Sequence, residues 1–490
     1  MNRNLSLVLF AIVFLDLLFC SSFVKAHSGK AAYHVIIDTD GAADDLRALC
    51  YLLSNHKAEV LAITSVAGAL PAHETACRVQ MLLSEFHHQG IPVGVGRENH
   101  RLQPSWRAYS RQICWADSVS GGQKYQTAVS LLEQSILEEE EPVVVVALGA
   151  LTNLADLLEH NAEAAHRISR IIWWGSVGRK PHDINYADDP KAADKIIKSG
   201  IKLEVIHQGR NAVFPITKDL LCQMAALPSP YAQKVVQTHR ASPLKELIDA
   251  AHLKAWDDLV VLYLFAPYLF DQTAFRETVS LHGLSDVHEN DLSSELLAIL
   301  RGDPDSESRV FYGFPIAKDL YAADVIPIID EALARHGDRE WRSVVLTNEL
   351  HGHLGIYATI GVKMGIRARA YFNIGVDDIQ VKSFAGDRPP ISCLNDGLQV
   401  GAGATLGHGL IQVQDNVRAR PEAIFSFKGR SILLKLKSEW AERIRKDILR
   451  GIQLYGKCTE PYWNFVRGLA LRYWVEFDRN EIFDEEYFEQ

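Results

Sequence analysis

The sharpest chemical signal in the chain is Asp38-Thr39-Asp40-Gly41-Ala42-Ala43-Asp44-Asp45, four carboxylates within eight residues at the end of the apolar run YHVIID. Carboxylates gathered at the end of a buried strand repel one another and lose hydration, so a cation or several hydrogen-bond donors must compensate them. A hard divalent ion suits an all-oxygen set, since Ca²⁺ takes about six to eight oxygens from carboxylates, carbonyls and water. The plainer alternative is an acidic first turn that suits a helix dipole, which accounts for one or two acids and not for four. An Asp-nucleophile phosphotransferase also begins D-x-D, but such sites usually want Thr or Val where Ala42 stands.

The elements that must position these acids follow from the hydrophobic pattern. YHVIIDTD, VLAITSVAG, IPVGVG, VVVVALGA, IIWWGSVG and LEVIHQ are continuous apolar runs, and helical patterns alternate with them. That alternation predicts an α/β fold, an open and mostly parallel sheet with helices on both faces, with ligands at the carboxyl ends of its strands. The polar stretch SDVHENDLSSELLAILRGDPDSESR reads as an insertion or surface loop, and ARHGDRE near residue 337 as a linker. Beyond it the texture changes to Gly- and His-rich segments, LHGHLGIYATIGVKMG and DGLQVGAGATLGHGLIQV, and residues 431–490 read as a helical extension with an acidic tail.

The 490 residues are 48% hydrophobic and 23% charged, an ordinary globular balance. A net charge of −10 argues against nucleic acid as the main partner. Asn2-Arg3, the run LSLVLFAIVFLDLLFC and Val24-Lys25-Ala26 read as a signal peptide over residues 1–26, cut before His27, with export to the periplasm or the outside as the expectation. The run is short for a membrane span and contains Asp16, and Phe19 fits poorly before a lipoprotein Cys20. The six remaining cysteines suggest no particular disulfide. The sequence leaves a homo-oligomer open.

IDTDGAADDLRAL, VLAITSVAG, ALGALTNLA and NYADDPKAA, in this order over residues 31–336, resemble the inosine-uridine-type nucleoside hydrolases. The resemblance implies an open α/β sheet with Ca²⁺ at the strand ends and cleavage of the N-glycosidic bond of ribonucleosides to ribose and free base. It further implies that Asp40, Asp45, the carbonyl of Thr152 and Asp257 hold the ion, Asp40 also serving as general base on a Ca²⁺-bound water. Asp44 and Asn185 would grip the ribose hydroxyls, and Asp183 would lie near the 5′-hydroxyl, where the family usually has Glu. N-glycoside hydrolysis passes through an oxocarbenium-like sugar and needs an activated water and help for the departing base, and each need has a candidate here.

Three departures matter. Trp256-Asp257 stands where many members have His-Asp; the purine-preferring branch has Trp there and stacks the base between two indoles, the second matching Trp106. Stacking raises the basicity of the purine ring, so Trp256 takes the leaving-group role, while the alternative for each Trp is a packed core aromatic. Ala69 replaces the Asn that often follows V-x-G, and the turn before the ribose residues is shortened to GRKPHD. These changes keep two other readings open, a non-catalytic nucleoside- or ribose-binding protein and a hydrolase of a different ribosyl compound with a pocket shared by the C-terminal unit.

The segments LHGHLGIYATIGVKMG and SCLNDGLQVGAGATLGHG, within residues 340–430, resemble the FmdE-type domain, a smaller α+β unit. His351, His353 and Cys393 are ligands that could converge on Zn²⁺ or another transition metal. The alternative is that H-G-H caps a helix and Cys393 is a small buried hydrophobe. His182 and His207 read as lone structural groups, and SEWAERIRKDILR as a solvated helical face.

Overall fold

The apolar runs become the centre of a sheet. The computed structural model describes residues 31–99, 104–116, 124–178, 184–207, 214–285, 289–302, 310–311, 313–376, 379–414 and 418–489, so the signal-peptide stretch, Asp183 and His182 lie outside the described residues. The first sheet contains β1 (Tyr33–Thr39), β2 (Ala58–Ser65), β3 (Val93–Val95), β4 (Gln126–Thr127), β5 (Val143–Ala147), β6 (Ile168–Trp174), β7 (Leu203–His207), β8 (Phe270–Arg276) and β9 (Val279–Leu284). Its order is β4-β3-β2-β1-β5-β6-β7-β9-β8, parallel throughout except for the antiparallel pair β8–β9. β1, β2 and β5 are buried almost end to end, which is why they read as unbroken apolar runs.

The chain moves outward from β1 to β2 and then returns to place β5 on its other side. Such a reversal splays the loops that leave the neighbouring carboxyl ends and opens a crevice there. The acidic segment leaves β1 at that point.

The stretch expected as a surface loop instead contains the helix Glu289–Arg301. Leu292, Leu296, Ile299 and Leu300 form its buried stripe, and its polar outer face hid the period. The expected linker near residue 337 is continuous as well: the helix Ile329–His351 passes through it, kinked at Gly337.

A second, five-stranded sheet has the order β11 (Ile411–Val413), β10 (Gln380–Ser383), β12 (Glu422–Phe427), β13 (Arg430–Leu436), β14 (Phe483–Glu489). Residues 431–489 are therefore part of this domain, not an appended extension. β14 pairs with β13, and Ile444, Tyr462, Ala470 and Tyr473 from the last two helices share a core with Ile360, Met364, Phe425 and Ile432.

The second domain docks at the amino ends of the first sheet's strands. Gly90 N donates to Tyr371 O (2.9 Å), Asn373 Nδ2 to Leu53 O (3.3 Å) and Arg367 Nη1 to His87 O (3.3 Å). The tip of the β12–β13 hairpin, Lys428-Gly429, has both residues in the left-handed region (φ 45° and 73°), the geometry of a tight two-residue turn. That turn aims Lys428 Nζ at Glu59 and Glu139, beside the starts of β2 and β5. No helix among the described residues is long and apolar enough to cross a membrane, and the six cysteines there are unpaired.

Candidate active site

β1 ends in Asp38 and Thr39, and the next helix, Ala43–Ser54, carries Asp44 and Asp45 in its first turn. A second helix, Asp258–Phe265, begins immediately after Asp257. Two helix amino ends thus meet the end of β1, and their dipoles favour negative charge there.

Asp45 Oδ2 accepts from Thr39 Oγ1 (2.6 Å) and from Asp40 N (2.9 Å). Asp40 Oδ1 accepts from Ala42 N (3.1 Å), and Thr75 Oγ1 holds the Asp40 carbonyl (2.8 Å). The loop after β2 crosses Asp40 so closely that a Cβ on Gly68 would lie 2.2 Å from Asp40 Oδ2, which excludes any larger residue. Below them Asp38 Oδ1 accepts from Thr64 Oγ1 and Asn153 Nδ2, both at 2.7 Å. Asp44, Asp45 and Asp257 bring one carboxylate oxygen each within 4.8 Å of one another.

These donors are too few for the charge. Burial pushes Asp40 and Asp257 well above the ordinary carboxylate range, and the Asp45 charge adds to both. Burial raises Asp44 to about 7, with Asp45 adding and Arg47 opposing. Burial also raises Asp38 to about 7 against its bonds from Thr64 and Asn153, and raises Asp45. Asp257 Oδ1 and Asp38 Oδ2 are buried with no hydrogen-bond partner. An all-oxygen set with an orphaned carboxylate oxygen could hold a metal ion, and its chemistry fits a hard divalent cation.

The other expected residues fall around this group. Thr152 opens the helix Thr152–His160, buried, with Oγ1 donating to Asp189 Oδ2 (2.9 Å). Its preceding loop touches Asp40, since a Cβ on Gly149 would sit 3.1 Å from Asp40 Cβ. Asn185 is buried, and its Nδ2 donates to Leu148 O (2.6 Å) and Trp174 O (3.0 Å), which uses both amide hydrogens. Trp106 and Trp256 are 36% and 39% exposed, so neither is a packed core aromatic.

In the second domain the His351 and His353 rings lie 4.4 Å apart, and His351 Nε2 is buried without a hydrogen-bond partner. His351, His353 and Cys393 do not bring three ligand atoms within 4.8 Å of one another. His351 Nδ1 is held by Asp396 Oδ2 (2.7 Å), its Nε2 packs over Gly355, and the His353 ring turns edge-on to Trp463. Docking at the opposite ends of the strands also separates this domain from the acidic site. Residue patterns missed Asn153 as the donor that fixes Asp38, although it lies in the quoted LTN. They missed the buried Arg47–Asp258–His239 contacts too, whose partners are far apart in sequence.

Comparison with known proteins gives two family matches. The family described as inosine-uridine preferring nucleoside hydrolase matches residues 35–298, and the family described as FmdE, molybdenum formylmethanofuran dehydrogenase operon, matches residues 350–457. A pyrimidine-specific ribonucleoside hydrolase, RihA, of Shewanella baltica is 29% identical over 228 residues, 42% of this chain and 68% of that protein. A non-specific ribonucleoside hydrolase, RihC, of Salmonella paratyphi A is 30% identical over 213 residues, 40% of this chain and 68% of that protein. Among solved structures, a purine-preferring ribonucleoside hydrolase from Gardnerella vaginalis aligns over 55% of this chain and 99% of its own, at 18% identity and a TM-score of 0.47. The chain belongs to the inosine-uridine preferring nucleoside hydrolase family, hydrolases that act on N-glycosyl bonds. It carries an FmdE domain fused behind the hydrolase domain.

Proposed function

We propose that this chain hydrolyses ribonucleosides, purine nucleosides preferentially, to ribose and free base with a Ca²⁺ ion at the acidic cluster. The observation that carries the reading is the under-compensated set of Asp40, Asp45 and Asp257, all buried, with half-buried Asp44 beside them at the carboxyl end of β1 and Asp257 Oδ1 unpartnered. Asp40, Asp45, Asp257 and the carbonyl of Thr152 would hold the ion, which when bound supplies the charge that acidifies water and aligns the sugar diol. Asp40, fixed by Gly68, Ala42 and Thr75, takes the proton from the attacking water. Asn185 Oδ1 and Asp44 accept from ribose hydroxyls, which holds C1′ in line with that water. Trp256, next to Asp257 and partly exposed, offers its face to the leaving base, with Trp106 on the other side.

The purine preference rests on these two exposed indoles; the two curated relatives named above are, by their own names, pyrimidine-specific and non-specific. The test is base release from inosine, guanosine, adenosine, uridine and cytidine, each with Ca²⁺ and with chelator. Purine release that vanishes on chelation is expected. Equal release from pyrimidines would reject the indole sandwich, and no release from any of them would reject the hydrolase reading. Export is proposed from the basic start, apolar run and Val24-Lys25-Ala26; a mature amino terminus at His27 would support it.

A further inference from the structure

Directly beneath the acids lies a charged pair that the proposed chemistry does not use. Arg47 follows Asp45 by two positions on one helix, and Asp258 follows Asp257 on the other. Both side chains are fully buried, and they meet in a two-pronged contact, Nε to Oδ1 and Nη2 to Oδ2, each 2.6 Å. Nη1 donates to His239 Nε2 (2.9 Å), and Nη2 reaches the Lys254 carbonyl (3.4 Å). A guanidinium has only donors, so His239 Nε2 must accept, and its Nδ1 carries the hydrogen given to Val235 O (2.8 Å). The ring is therefore neutral. One cation and one anion meet here, and the network ties together the helices Ala43–Ser54, Pro230–His239 and Asp258–Phe265.

For stability alone such a pair is a poor choice, because apolar residues of similar volume usually do as well or better in a buried position. What it provides is a fixed distance. A planar fork on a carboxylate defines separation and angle, and each partner sits within two residues of a carboxylate that would hold the cation. We infer that Arg47 and Asp258 are a positioning clamp that sets the spacing of Asp45 and Asp257 for the divalent ion. They touch neither ion nor substrate and act through the two helix amino ends. This rests on the cation reading of the site.

The double variant Arg47→Met with Asp258→Leu tests the clamp in the full chain. It removes one charge of each sign, so the net field at the acids barely changes while the geometric tie is lost. Ca²⁺ titration calorimetry and thermal unfolding in chelator are the readouts. The expected result is a chain that still unfolds cooperatively in chelator, with a Ca²⁺ Kd at least tenfold weaker. Wild-type Ca²⁺ affinity in a folded double variant would overturn the clamp. Arg47→Lys, which keeps the charge but not the fork, serves if the double variant does not fold. It should weaken Ca²⁺ severalfold without a matching loss of Tm, and unchanged affinity would overturn the clamp. Failure of the wild-type chain to bind Ca²⁺ would remove the cation reading and the clamp with it.

Discussion

Buried acids gather at both ends of the part of the sheet formed by β1, β2 and β5, Glu59 and Glu139 at the amino side and Asp38, Asp40, Asp45 and Asp257 at the carboxyl side, and the two ends are treated in opposite ways. At the amino ends, His34, Glu59 and Glu139 form a buried group, and Lys428 from the second domain binds both glutamates. Burial alone would raise Glu139, but hydrogen bonds from His34 and Lys428 and the ammonium charge hold it well below the usual carboxylate range. At the carboxyl ends every acid of the cluster moves upward. The lower end receives its cation from the chain, and among the described residues no lysine pairs with the acids of the upper end. A fold that compensates one buried acid group with a lysine could have done the same at the other. That no lysine does so there among the described residues is what the proposed cation rests on.

The largest effect should come from Asp40. Asp40→Asn removes the proton acceptor and one carboxylate of the cluster, and kcat for inosine should fall by about four orders of magnitude. In chelator the same variant should melt no lower than wild type, because one repelling charge is gone. A large fall in Tm without metal would mean that the upper acids already have their counter-charge and would break the comparison.

Next is ligand binding itself. Ca²⁺ at about 100 times its Kd should stabilise the chain by about 2.7 kcal/mol, read as a rise in Tm that chelator reverses. Asp257→Asn should abolish that rise, and Lys428→Met should leave it intact, since that lysine serves the other end.

Lys428→Met should in turn destabilise the folded chain by about 2 kcal/mol, less than a fully buried pair because the lysine is about one-third exposed. This loss depends on pH with a definite sign. Glu139 has a lowered pKa in the fold, so its contribution is complete above the ordinary value of 4.5 and disappears as pH falls toward the folded value. The gap between wild type and Lys428→Met should therefore narrow below about pH 4, as measured by urea unfolding at stepped pH. A gap that widens in acid would show that the latch works by something other than charge.

How much of this was legible in the sequence depended on how local the signal was. The strands were legible because burial on both faces leaves an unbroken apolar run, and Asp38 to Asp45 because all four acids lie in one segment. The compensation was not. Arg47 meets Asp258 across 211 positions and His239 across 192, and Lys428 meets Glu59 across 369, so only the folded chain brings them together. β14 was hidden for a different reason. Phe483-Asp484-Glu485-Glu486-Tyr487 reads as an acidic tail, yet Phe483 is buried and the strand completes the second sheet beside β13. Acid content outweighed the alternation.

The smallest effect concerns the rim of the upper end, where charge no longer decides. Trp256 follows no buried pattern and precedes a carboxylate of the cluster, so its indole has little to do for the core. Trp256→Leu should lower kcat/KM for inosine by about tenfold, roughly the worth of one aromatic stacking contact, and lower it less for uridine, whose smaller ring offers less face. Stability and Ca²⁺ affinity should hold, because neither Asp257 nor its helix depends on the indole. Should inosine and uridine fall equally, the tryptophan shapes the sugar site or its access, and base discrimination must then be sought at Trp106.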